Sequence, residues 1–209
     1  MVDHDTLIDR LCEEAAPVRR VASIWRRTLV WVPVALALGY LASGLVHRTA
    51  TDWHAPMAGV AAVNIGLSLA FGLAAFAAAL SMSIAGSIAR IKIWGLAIIG
   101  GWLALSAYSI GISAQRAEHS GEGSYCFTFV VIAGVPMVAV AILALRRTRS
   151  LRPVRSLGLA GTGIAFLSFG LLAFCHPVAL SAADFVGHLA AGLSLAGLTI
   201  AIGLKAVKV

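Results

Sequence analysis

Six stretches of this chain are apolar without alternation: residues 28–46, 57–80, 91–113, 125–145, 156–174 and 183–204. A helix rising about 1.5 Å per residue needs roughly 20 residues to cross a hydrocarbon core about 30 Å thick, and each stretch is close to that length. Barrel strands of about ten residues would alternate apolar and polar positions, whereas these runs are continuous and rich in Ala, Leu and Gly. The pattern predicts an all-α membrane protein built as a six-transmembrane-helix bundle. It divides the chain into an N-terminal segment (1–27), a transmembrane domain (28–204) and a short tail (205–209). Small residues recur at helical spacing in the second run, at Gly66, Ala70, Ala74 and Ala78, and such a stripe is expected to let helix backbones approach closely in lipid. Pro33 and Pro136 lie inside the first and fourth runs, where bends are expected.

Charge orients the bundle. Six crossings put both termini on one side, with the loops after the second and fourth helices. That side holds fourteen of the sixteen Lys and Arg residues: Arg10, Arg19, Arg20, Arg26 and Arg27, then Arg90 and Lys92, then Arg146, Arg147, Arg149, Arg152 and Arg155, then Lys205 and Lys208. The other side keeps Arg48 and Arg116. Basic residues in short loops stay cytoplasmic, so both termini are predicted to be cytoplasmic. The composition, 60% hydrophobic and 12% charged, agrees with a membrane protein. The net charge of +7 is then explained by anionic lipid head groups, and no direct contact with nucleic acid is expected. Residues 1–27 carry five acids and do not resemble a basic leader, so the first run is read as a retained helix. Trp25, Arg26 and Arg27 at its lip are expected to act as interfacial anchors.

The spans lack the usual apparatus of transport or catalysis. Ion-coupled transporters need ionisable groups near the bilayer centre, but no acid falls in mid-span and Asn64 is the most polar side chain deep in a run. No nucleophile with its base, phosphate-binding glycine loop or carboxylate pair emerges, so the chain is not expected to be an enzyme. Five histidines (His47, His54, His119, His176 and His188) map to outer ends or outer loops, where solvation is the default expectation.

Two features carry candidate chemistry. In the first 14 residues Asp3, Asp5, Asp9, Glu13 and Glu14 face a single Arg10. A helix is predicted there, with Thr6 and Asp9 forming a capping box and Pro17 ending it. Leu7, Ile8, Leu11 and Ala15 fall on one face, with Asp5, Asp9 and Glu13 on another. Such a helix is marginal alone and becomes ordered when its apolar stripe enters a partner's groove; docking on the protein's own cytoplasmic loops, or lying on the lipid surface, is the plainer alternative. The second feature is a pair of thiols. Cys126 opens the fourth run and Cys175 closes the fifth, so both lie at the outer edge, at equal depth, and can meet if their helices are neighbours. Redox or metal sensitivity, a fixed disulfide and inert packing all remain open for them. His176 stands beside Cys175, and Asp184 and His188 share a face four residues apart. Cysteine with imidazole suits Cu(I), Zn(II) or Cd(II), although no defined zinc spacing is present. Cys12, on the cytoplasmic segment, is expected to be reduced.

Leu7-Ile8-Asp9-Arg10-Leu11, Pro17-Val18-Arg19-Arg20, six runs and the two outer cysteines together resemble the NrsF family of bacterial inner-membrane anti-sigma factors. In that family the second cysteine is followed directly by Pro, and a Trp-His pair comes later. Here His176 intervenes before Pro177, and Gly187 precedes His188. The resemblance implies a multi-pass protein of the bacterial inner membrane whose N-terminal segment (Leu7, Ile8, Asp9, Leu11, Pro17, Val18, Arg19 and Arg20) holds an extracytoplasmic-function sigma factor away from RNA polymerase. It implies that Cys126 and Cys175, with His176 and His188 nearby, sense heavy-metal or oxidative stress and release that partner. No resident cofactor is required on this reading; a heavy-metal ion would act as inducer at the outer cysteines. The chief alternative is a copper-type membrane metal-binding protein with no sigma partner, and a third is a small transporter or assembly factor with an incidental acidic leader.

Overall fold

A computed structural model of the chain describes residues 4–15, 21–46, 50–82, 84, 93–115, 123–148, 150–178 and 180–207. Every regular element among them is a helix: α1 (His4–Glu14), α2 (Ile24–Ser43), α3 (Ala58–Met82), α4 (Ile93–Gln115), α5 (Gly123–Arg146), α6 (Pro153–Leu172) and α7 (Ala182–Val207). Among the described residues, α3 to α7 are long and apolar enough to cross a membrane, which marks a membrane-embedded protein. Helix α2 has a span's length of 20 residues but carries Arg26 and Arg27 in its first turn.

The ends of the helices follow from local chemistry. Ser23 precedes α2 and its hydroxyl accepts from the Arg26 N–H (3.4 Å), which satisfies one of the open donors of the first turn. Pro153 begins α6, where a missing N–H costs nothing and its fixed φ suits the helix. Pro33 and Pro136 lie inside α2 and α5, and neither interrupts its helix.

Polar ties at the two ends show that the long helices alternate in direction. At one end Arg27 donates to the Leu80 carbonyl near the end of α3 (3.1 Å) and to Thr148 Oγ1 just beyond α5 (3.0 Å). Ser150 reaches the Met82 carbonyl there (3.4 Å). At the other end Thr51, ahead of α3, has its Oγ1 2.8 Å from the Ala173 carbonyl and 2.9 Å from that of His176, while the Leu180 N–H donates to Ser109 Oγ of α4 (3.1 Å). Arg26 is exposed as an anchor should be, but Arg27 is buried. The expectation that Arg27 merely anchors the lip is therefore corrected: its guanidinium joins α2, the end of α3 and the segment after α5, where open helix-end carbonyls attract a cation.

Helix α6 is the central helix, buried along most of its length between α3, α5 and α7, while α2 packs on α5 and α3, and α4 on α3. The predicted small-residue stripe of α3 is corrected. Gly66, Ala70 and Ala74 are exposed, and a Cβ built on Gly66 would meet nothing within 4 Å. The buried face of α3 is Ser68, Gly72, Ala75, Phe76, Ala79 and Leu80. A Cβ on Gly72 would lie 2.9 Å from the Gly163 carbonyl, and one on Gly163 would lie 2.9 Å from that of Gly72, so these two glycines set the α3–α6 approach. Trp102 of α4 bridges to this core, 5.0 Å from the ring of Phe166 and 5.7 Å from that of Phe185.

Gly163→Ala should destabilise the bundle by about 1–3 kcal/mol, the usual cost of overpacking, because backbone and not a flexible side chain stands in the way. Gly66→Ala, into open space, should leave stability unchanged. Thermal unfolding of the detergent-solubilised protein compares the two directly, and equal behaviour would refute the assigned interface.

Candidate functional site

The end of the bundle opposite Arg27 is organised by the start of α7. The Ser181 hydroxyl accepts from the Asp184 N–H (3.1 Å), and Asp184 Oδ2 accepts from the Ser181 N–H (3.2 Å) and O–H (2.6 Å). This reciprocal cap satisfies donors of the first turn and places a carboxylate where the helix dipole favours it. The cap also fixes where Asp184 points. Its Oδ1 lies 3.7 Å from Cys126 Sγ at the start of α5, and its Oδ2 lies 3.7 Å from His176 Nε2 on the α6–α7 connection. Thr51 holds that connection from the other side, its Oγ1 accepting from the His176 N–H (3.2 Å).

The imidazole of His176 is oriented by a second contact. Its Nδ1 is 2.7 Å from the Pro177 carbonyl, an acceptor only, so Nδ1 carries a proton and Nε2 faces Asp184. Burial pulls the His176 pKa down, but the Asp184 carboxylate, the Cys126 side chain and the Pro177 carbonyl outweigh it and push the value up to about 10. His176 is therefore held as an imidazolium facing the Asp184 carboxylate.

His188 follows Asp184 by one helical turn on the same face, as the spacing predicts. It is buried between the rings of Phe169 (5.6 Å) and His176 (5.5 Å). Its Nε2 finds no hydrogen-bond partner among the described residues. Cys126, His176 and His188 each offer one ligand atom, and the three atoms lie within 4.8 Å of one another. Beside them, a mostly apolar cavity of about 80 Å³ runs between α3, α4, α6 and α7, with His176, His188, Thr51, Asn64, Ser106 and Ser109 as polar members of its lining. Asn64 donates to Ser106 Oγ (3.1 Å), and its buried Oδ1 has no partner among the described residues. The space is enough for several water molecules.

The sequence-predicted residues divide clearly. Solvation was the expectation for the outer histidines, and His54 is exposed, but His176 and His188 are buried, drawn in by Asp184 and the aromatic core. His47 and His119 lie outside the described residues. The group that closes is one thiol with two imidazoles. Cys175 is half-buried beside His176 and is not a member of it; both Cys126 and Cys175 are thiols here. On α1, Leu7, Ile8 and Leu11 are 46%, 56% and 59% exposed, Asp9 is exposed too, and no residue of the helix is buried. Thr6 lies inside this helix and does not cap it, because the helix already begins at His4. Pro17, Val18, Arg19 and Arg20 lie outside the described residues. Sequence reasoning missed Ser181 and Thr51 and gave Asp184 no role of its own. The signal for the first was present: Ser181-x-x-Asp184 immediately before an apolar run is a capping motif.

No family model matches the chain, and no curated protein or solved structure is significantly similar to it.

Asp184→Asn keeps the size of the side chain and removes its charge. Because the folded value for His176 lies above the ordinary 6.5, the imidazolium stabilises the fold fully below pH 6.5, and this contribution is lost as pH rises towards 10. In histidine-labelled protein the His176 ring should titrate near the high value by NMR, and near or below the ordinary one in the variant. Identical titration in the two proteins would remove Asp184 as its counter-ion.

Proposed function

We propose that this chain is a membrane-bound anti-sigma factor of the bacterial inner membrane. It crosses the bilayer six times, with α2 as the first span, and both termini are cytoplasmic. Its N-terminal segment sequesters an extracytoplasmic-function sigma factor, and heavy-metal or oxidative stress at the outer end releases it. The observation that carries this reading is α1, whose Leu7, Ile8 and Leu11 are exposed beside an acidic face while the thiol–imidazole group sits at the far end of the bundle. An amphipathic helix that buries nothing of its own is suited to a partner's groove, and its acids select a basic partner. The lipid-side charge imbalance and the family resemblance of the opening residues support the same reading.

The packing offers a physical connection between the two ends. Cys126 begins α5, α5 packs along α2, and Thr148 just beyond α5 bonds Arg27 at the root of α2. Movement of α5 against α7 at the outer end would therefore bear on the helix that carries α1. A two-state shift with a coupling of about 3 kcal/mol changes partner affinity roughly 150-fold, enough for release.

A second reading is favoured by one observation. The compact Cys126, His176 and His188 group is a reasonable metal site without any regulatory partner, so a copper-type metal-binding membrane protein stands as the rival.

The two readings differ at α1. Affinity-purified full-length protein from its native cells should carry a sigma factor identifiable by mass spectrometry, and Leu11→Asp, which puts a charge on the docking stripe, should reduce the bound sigma factor at least tenfold. Absence of a sigma factor from the wild-type complex, or undiminished retention by the variant, would overturn the anti-sigma reading.

A further inference from the structure

We propose that Cys126 Sγ, His176 Nε2 and His188 Nε2 hold a single divalent ion of the zinc and cadmium class, with a fourth position facing the cavity beside the two histidines and with Cys175 outside the ligand set. This deepens the sensor reading above and rests on it only for the regulatory consequence of binding.

Geometry argues first. In a tetrahedral site with bonds of about 2.0–2.3 Å, ligand atoms stand about 3.3–3.8 Å apart. One ligand atom from each residue already lies within 4.8 Å of the other two, so closing on an ion requires movements of about 1 Å, within reach of side-chain rotation. The orientation of His176 is that of a ligand: its Nδ1 proton is committed to the Pro177 carbonyl (2.7 Å), an outer partner of the kind metal-binding imidazoles use, and Nε2 is turned inward. The buried Nε2 of His188 lacks a partner among the described residues, an arrangement that costs free energy unless something fills it. The cavity reaching His176 and His188 supplies an access path and room for a water as fourth ligand.

Charge then selects the ion. Binding takes the ligands in their deprotonated forms, a Cys126 thiolate with neutral imidazoles, and the displaced protons leave to solvent. The Asp184 carboxylate stands 3.7 Å from both Cys126 Sγ and His176 Nε2, so a divalent ion balances thiolate and carboxylate together, whereas a monovalent ion with the same three ligands would leave one uncompensated negative charge. One sulfur and two imidazole nitrogens favour zinc or cadmium over magnesium or calcium, which prefer oxygen. Asp184 remains the outer carboxylate that tethers α5 to α7.

The test uses full-length protein in detergent titrated with Co²⁺ as the optical probe. Wild type should bind one equivalent with a thiolate-to-cobalt charge-transfer band and intense tetrahedral visible bands, both erased by one equivalent of Zn²⁺. Cys175→Ser should give the same spectrum. Cys126→Ser should lose the charge-transfer band, and His188→Gln should weaken binding by tenfold or more. A wild-type protein without the band, or a Cys175→Ser variant that loses it, would overturn the proposal, and neither result depends on the Cys126 variant folding. Sigma-factor capture measured on the same preparations separates the two claims. Lost capture with an intact cobalt spectrum defeats only the regulatory reading; intact capture with no cobalt band defeats only the metal site.

Discussion

Charge is costly inside hydrocarbon, and this chain confines its charge to the two ends of its helices. At one end Arg27 is buried yet placed where the Leu80 carbonyl and the Thr148 hydroxyl receive it. At the other end Asp184 is buried at a helix start, held by Ser181 and facing His176. Between these poles run α3 to α7, apolar on the faces they turn outward and closely packed on those they turn inward, with α6 at the centre. The two polar ends tie together helices that lipid alone would not hold in register, because hydrocarbon gives apolar side chains no reason to prefer one another.

The buried carboxylate also explains why its end of the bundle is chemically distinctive. Without a cation nearby, Asp184 would be an uncompensated charge, and breaking such a pair is strongly destabilising. A proton on His176 satisfies it in the metal-free protein. The proposed divalent ion satisfies the same demand with different geometry, drawing Cys126, His176 and His188 together. One electrostatic requirement thus has two solutions with different side-chain arrangements across α5, α7 and the α6–α7 connection, which is what a switch needs.

The elements were legible because hydrophobic length is a strong signal; the faces were not. The run at 57–80 became α3 with its end displaced by two residues, but Gly, Ala and Ser occupy every side of that helix, so periodicity could not choose between the Gly66 stripe and the Gly72 face. The choice is made by Gly163 on a helix ninety residues away. Likewise the placement of His176 and His188 at helix ends was readable, but their burial depends on Asp184 and on Phe169 of another helix. Arg27 resembled every other interfacial arginine until the end of α3 and Thr148 were brought beside it. Ser181-x-x-Asp184 was the exception, a local pattern that identifies its own hydrogen bonds.

The functional account needs α1 and the thiol–imidazole end on opposite sides of the membrane. Membrane-impermeant maleimide labelling of variants retaining only Cys12 or only Cys175, in spheroplasts and in inside-out vesicles, tests this directly. The account predicts that Cys175 reacts in spheroplasts and Cys12 in inside-out vesicles. Reaction of both from the same side would contradict it.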